Sequence, residues 1–141
     1  MRVAIAVATF YPDLAERLER SATAALEAGG ATEIARFAVP GAFELPLVAR
    51  FAAEAGFDAV VCLGAVIRGE TSHYDHVCEE VARGIMEVQL ITGVPCGFGV
   101  LTVETMDQAI ARSGGGKRDS GEHAVAAVLA LLDAKRRLLA R

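Results

Sequence analysis

The sequence predicts an α/β chain: a three-layer α/β/α sandwich built around a four-stranded parallel sheet. Four short apolar runs rich in β-branched residues, Val3 to Ala8, Ile34 to Val39, Ala59 to Leu63 and Gly97 to Val103, read as buried strands. Longer segments with helical spacing separate them. That alternation gives a parallel sheet with right-handed crossovers and helices on both faces.

The first strand runs into Pro12 and Asp13, a helix start, after which Leu14, Leu18, Ala22, Ala25 and Leu26 follow helical spacing until Gly29-Gly30 stops them. After the second strand, Pro40-Gly41 turns the chain into a helix from about Ala42 to Ala55, ended by Gly56. The third strand leads to a helix from about Ser72 to Thr92, closed by Gly93 and Pro95. Beyond the fourth strand, Met106 to Arg112 reads as a short helix, Ser113 to Gly121 as a polar loop and Glu122 to Leu139 as a final helix of Ala and Leu. Neither a repeat nor a domain boundary interrupts this order, so residues 1–141 are expected to form one domain.

Composition narrows the function classes. A 53% hydrophobic content supplies one core amply, and such richness in so short a chain suggests some apolar burial between subunits. With a net charge of −4, nucleic acid is not the expected partner; a small molecule is. Cys62, Cys78 and Cys96 form neither a CxxC pair nor an even disulfide framework, which fits a reducing cytoplasm. The apolar run at the N-terminus is too short to span a bilayer, and no cleavage signal follows it, so neither targeting nor membrane insertion is expected.

Ligands of open parallel sheets bind beyond the carboxyl ends of the strands. This directs attention to Thr9-Phe10-Tyr11, Pro40-Gly41-Ala42-Phe43-Glu44, Val66-Ile67-Arg68-Gly69-Glu70-Thr71-Ser72-His73 and Glu104-Thr105. Phe10 either packs on the rim or stacks on a planar heterocycle. Glu44 either stabilises the start of its helix or accepts hydrogen bonds from a polar ring or polyol. Gly69, Thr71 and Ser72 open a helix whose free N–H groups can hold an anion. His73, in the first turn, is either a surface histidine or a proton carrier for a bound ligand. Arg112, Lys117 and Arg118 flank a glycine-rich loop that either stays solvated or closes on a phosphate.

Other chemistries find less support. His73, His76 and Glu79 follow i, i+3, i+6 spacing around Asp75 but lack the HExxH pattern, so no metal is expected. Gly116-Lys117 is followed by Arg118 and not by Ser or Thr, which excludes a Walker motif, and no GxGxxG occurs. No cysteine has an evident base partner.

Val39-Pro40-Gly41-Ala42-Phe43-Glu44-Leu45-Pro46 and Gly64-Ala65-Val66-Ile67-Arg68-Gly69-Glu70-Thr71-Ser72-His73-Tyr74-Asp75, in this order and spacing, resemble the 6,7-dimethyl-8-ribityllumazine synthase family. The resemblance continues through Gly93 to Thr102 and Gln108 to Gly114, and so covers nearly the whole chain. It implies a flavodoxin-like sheet and a transferase of the penultimate step of riboflavin biosynthesis. That enzyme condenses 5-amino-6-(D-ribitylamino)uracil with 3,4-dihydroxy-2-butanone 4-phosphate, releasing phosphate and water, without metal or organic cofactor.

By the same resemblance Phe10 stacks on the pyrimidine, and Ala42, Phe43, Glu44, Ala65, Val66 and Ile67 bind the pyrimidine and its ribityl chain. Glu70 and Thr71 hold the sugar phosphate through backbone N–H groups, with the Glu70 side chain turned away. Arg112 matches a phosphate-binding arginine, His73 an acid/base residue, and Phe98 an aromatic given by a neighbouring subunit. The resemblance therefore implies a homo-oligomer: a pentamer, which in some members builds an icosahedral shell, and an association with riboflavin synthase.

Two departures accompany the resemblance. Ser120 occupies the position of a lysine common in the loop after Arg112, which bears on phosphate affinity. The first strand begins almost at Met1, without the preceding segment of many members, which makes the pentamer the expected assembly. The altered loop raises a non-catalytic relative that binds lumazine or flavin, or serves as a shell protein; Phe10, Glu44, Thr71, His73, Phe98 and Arg112 together favour activity. A phospho-receiver or nucleotide-binding module would share the fold class, but no acidic acceptor pocket is apparent.

Overall fold

The computed structural model describes residues 1–115 and 118–140. Strands β1 (Arg2–Ala8), β2 (Glu33–Val39), β3 (Ala59–Ile67) and β4 (Cys96–Val103) form one sheet in the order β2-β1-β3-β4. All neighbours are parallel, with Val3 opposite Ile34 of β2 on one side and Ala59 of β3 on the other. Because β2 and β3 lie on opposite sides of β1, the carboxyl ends of β1 and β3 meet at the topological switch point, where such sheets open a crevice.

Strand alternation sorts the core into two halves. Val3, Ile5 and Val7 join Leu18, Leu26 and Val125 beneath α1 (Pro12–Ala28) and α5 (Ser120–Leu139). Ala4, Ala6 and Ala8 join Leu45, Ala49 and Ile85 beneath α2 (Leu45–Glu54) and α3 (His73–Thr92). Leu18, Leu26, Leu45, Leu63 and Ile85 are fully buried, and each such side chain contributes roughly 1.5–3 kcal/mol by leaving water. The short helix α4 (Met106–Ala111) closes the rim after β4.

Three boundaries differ from the sequence-based expectation by more than one residue. β3 continues past Leu63 to Ile67, because Gly64–Ile67 keep pairing with Val100–Val103 even though Gly64 and Ala65 are poor strand formers. The expected second helix divides into a 3₁₀ turn, Ala42–Glu44, and α2, whose first turn holds Pro46, a position where the missing N–H costs nothing. The last helix starts at Ser120, where Asp119 caps it by accepting from the Glu122 amide at 3.2 Å.

Helix α5 lies directly on β4 because two glycines make room. A Cβ on Gly97 would stand 2.6 Å from the Ala124 carbonyl oxygen, and one on Gly99 would stand 2.6 Å from Leu63 Cδ2. Backbone cannot yield as a side chain can. Gly97→Ala is expected to lower stability by about 1–3 kcal/mol, measured as an earlier urea midpoint with an unchanged slope.

Candidate active site

A pocket of about 810 Å³ opens at the carboxyl ends of the strands. The β1 loop contributes Phe10 and Tyr11, and the β2 loop contributes Gly41, Ala42, Phe43 and Glu44. The end of β3 supplies Ala65, Val66 and Ile67, the following turn Gly69 and Thr71, and α3 the side chains of His73, Tyr74, His76, Val77 and Glu80. Residues far apart in sequence converge because all parallel strands end on one rim.

Phe10 is 70% exposed and meets Tyr11 edge-to-face, at 4.9 Å between ring centroids. Its face remains available for a flat ligand. Glu44 lines the pocket and also closes the β2 turn, since its Oε1 accepts from the Gly41 amide at 2.9 Å. The structural reading of Glu44 therefore holds, and the carboxylate lies on the pocket wall as well.

The turn between β3 and α3 is rich in free donors. Among the described residues, the amides of Gly69, Glu70, Thr71 and Ser72 reach no protein acceptor. The Thr71 hydroxyl accepts from the His73 amide at 3.3 Å, which fixes the entry to α3. Exposed amides followed by a helix N-terminus attract an anion. Thr71 and His73 face the pocket, whereas the exposed Glu70 side chain is not part of its lining.

A family model described as 6,7-dimethyl-8-ribityllumazine synthase matches residues 1–136. Three proteins named 6,7-dimethyl-8-ribityllumazine synthase illustrate the similarity. That of Kineococcus radiotolerans is 49% identical over 92% of this chain and 81% of its own length. That of Streptomyces coelicolor is 45% identical over 92% and 82%, and that of Syntrophus aciditrophicus 45% identical over 98% and 92%. The chain belongs to the 6,7-dimethyl-8-ribityllumazine synthase family.

Relative to what that family membership leads one to expect, two residues lie away from the pocket. Phe98 projects from edge strand β4 on the α2/α3 side, in line with Cys96 and Val100, yet is 42% exposed because the helices do not cover that part of the edge. Arg112 ends α4, where its Nη1 donates to the Gln108 carbonyl at 3.0 Å. Ser120 donates its amide to the Arg112 carbonyl at 2.9 Å and so belongs to the base of the loop. Arg118 is exposed, and Lys117 lies outside the described residues. Thr105 caps α4 through its hydroxyl, 3.1 Å from the Gln108 amide, and like Glu104 is absent from the pocket lining.

Tyr74, His76, Val77 and Glu80 join the pocket without having been expected there. For His76, Val77 and Glu80 the signal was available: once His73 faces the pocket, positions three, four and seven residues on share its helical face. Glu79 is not in the lining, so the His73, His76 and Glu79 trio does not converge.

The cysteines lie elsewhere. Burial pushes the Cys96 thiol up to about 12 and also raises Cys62, which Cys96 raises further. Burial raises Cys78 too, partly offset by a hydrogen bond with Tyr74. None is a thiolate near neutrality. Since Cys96 and Cys62 titrate above the ordinary value of 9.0, the unfolded chain loses these protons first. Their stabilising contribution is complete below pH 9.0 and is lost as pH rises through the folded value, about 12 for Cys96. The melting temperature should therefore fall above pH 9.0, and a thiol-specific chromogenic reagent should leave Cys62 and Cys96 unmodified until denaturant is added.

Proposed function

We propose that the chain, as one domain of residues 1–141, condenses 5-amino-6-(D-ribitylamino)uracil with 3,4-dihydroxy-2-butanone 4-phosphate to form 6,7-dimethyl-8-ribityllumazine. The observation that carries this reading is the sharing of one pocket by the open face of Phe10, the donor-rich turn at Thr71 and the imidazole of His73. These suit, in turn, a flat pyrimidine, a phosphate and a reaction in which protons move at every stage. The ribityl hydroxyls would lie along Ala42, Phe43, Glu44 and Ala65–Ile67, where the polar groups of Glu44 and the β2 turn can pair with them.

In the reaction the substrate amine attacks the ketone carbon, and the carbinolamine loses water to give an imine. Removal of a carbon-bound proton then lets the phosphate leave. The enol left behind tautomerises to a ketone, and attack by the ribityl-bearing nitrogen on this new carbonyl with a second loss of water closes the ring. His73 takes and returns protons, while the amides of Glu70 and Thr71 and the Arg112 guanidinium neutralise the phosphate, holding its ester in place and accepting the leaving group. Keeping both reactants in one pocket supplies the orientation that a bimolecular step in water lacks.

Phe98 and Arg112 reach this pocket from a neighbouring copy. Phe43, Leu47 and Phe51 on the α2 side, Met86, Leu90 and Ile91 on α3 and Phe98 on β4 are large apolar side chains left exposed, which supports burial against another copy of the chain; the family resemblance makes that assembly a homopentamer. A cytoplasmic location and an association with riboflavin synthase belong to the same reading. No helix among the described residues is long and apolar enough to cross a membrane.

Purified protein given both substrates should develop the lumazine absorbance, and light scattering should return the mass of five 14.8 kDa chains. A chain that binds lumazine but makes none would be a binding protein of this family. His73→Ala should lower kcat by about 10²-fold with residual turnover left by orientation; an unchanged rate would remove His73 from the mechanism.

A further inference from the structure

An arginine beside a phosphate turn invites the reading that it binds the phosphate. The surroundings of Arg68 argue otherwise. Its amide donates to the Val103 carbonyl at 2.9 Å, the last rung joining β3 to β4. Its Nε lies 2.7 Å from Glu104 Oε2 and its Nη2 3.3 Å from Asp75 Oδ1. The guanidinium carbon sits 4.3 Å from the centroid of the Tyr74 ring, which is buried and forms part of the pocket wall. Two carboxylates and an aromatic face thus occupy the cation, and Arg68 is absent from the pocket lining.

The turn that follows has little else to hold it. Gly69, Glu70, Thr71 and Ser72 are all exposed, a Cβ on Gly69 would meet nothing within 4 Å, and among the described residues the one side-chain bond within the turn is that of Thr71 to the His73 amide. Its order must come from its ends. Arg68 ties the upstream end to the β4–α4 connection through Glu104, and to the first turn of α3 through Asp75 and Tyr74. His73 lies between the tied segments.

We propose that Arg68 is a positioning residue: it holds the Gly69–Ser72 amides and His73 in place for the sugar phosphate without touching that substrate. The inference rests on the function proposed above. A planar guanidinium can meet Glu104, Asp75 and the Tyr74 face together, whereas a lysine ammonium is a single point and cannot.

Hydrogen exchange and steady-state kinetics on Arg68→Met, Arg68→Lys and Glu104→Gln test it. In Arg68→Met, exchange at amides 69–76 should quicken about tenfold while β1 amides stay protected, the scale of two exposed ion pairs and one cation–π contact. KM for the sugar phosphate should rise to a similar extent with KM for the pyrimidine within about twofold, as the phosphate turn alone is loosened. Arg68→Lys should fall between the wild type and Arg68→Met, and Glu104→Gln should weaken inorganic phosphate binding by removing one tie. Unchanged exchange overturns the proposal. So does tighter phosphate binding in Glu104→Gln, the result expected if a released guanidinium were itself the ligand. A wild-type chain that makes no lumazine would count against the proposed function, while the exchange data would still decide the role of Arg68.

Discussion

Parallel pairing is the constraint from which the rest of this structure follows. Strands that run the same way must end on the same rim, and each pairing requires a helix to carry the chain back. With β2 and β3 on opposite sides of β1, the crossovers fall on both faces and leave an opening above the β1–β3 junction. Phe10 and the Gly69–His73 segment occupy that opening because their strands stop there. The close seating of α5 on Gly97 and Gly99 belongs to the same geometry, since the helix after β4 must pack back onto the sheet it leaves.

The rim is polar where the core is not, and its polarity is backbone more than side chain. Gly69 to Ser72 carry amides without protein partners, and α3 adds the positive end of its dipole. Charge is then balanced locally, with Arg68 set between Glu104 and Asp75. Exposed Phe10, Phe43 and Phe98 tell the same story for apolar surface. Each is a large aromatic left open by one chain. The proposed function gives the first two to a ligand and the third to the pocket of a neighbouring copy.

Most of the fold was legible because its signals are local. β-branched runs marked the strands, Gly29, Gly56 and Gly93 marked the stops, and the Pro40-Gly41 turn marked the approach to a helix that begins three residues later than the expected Ala42. The extension of β3 to Ile67 was not legible, since it depends on pairing with β4 and not on the residues themselves. Of the site, the pocket-lining members were found from the loop rule and the motif, while Tyr74, His76 and Glu80 required knowing which way α3 faces. Phe98 and Arg112 mark a different limit. One chain's structure sets them apart from the pocket, and only the family pattern associates them with it.

Under the proposed function, catalysis takes place in a pocket completed by a second copy. The direct measurement is complementation: combine chains carrying His73→Ala with chains carrying Phe98→Ala, let them co-assemble, and follow lumazine formation. If each site takes its histidine from one chain and its phenylalanine from the next, random mixing in equal amounts rebuilds about a quarter of the sites, and the mixture should exceed both parents. A mixture no more active than the average of the two variants, in assemblies shown to contain both chains, would contradict the shared pocket.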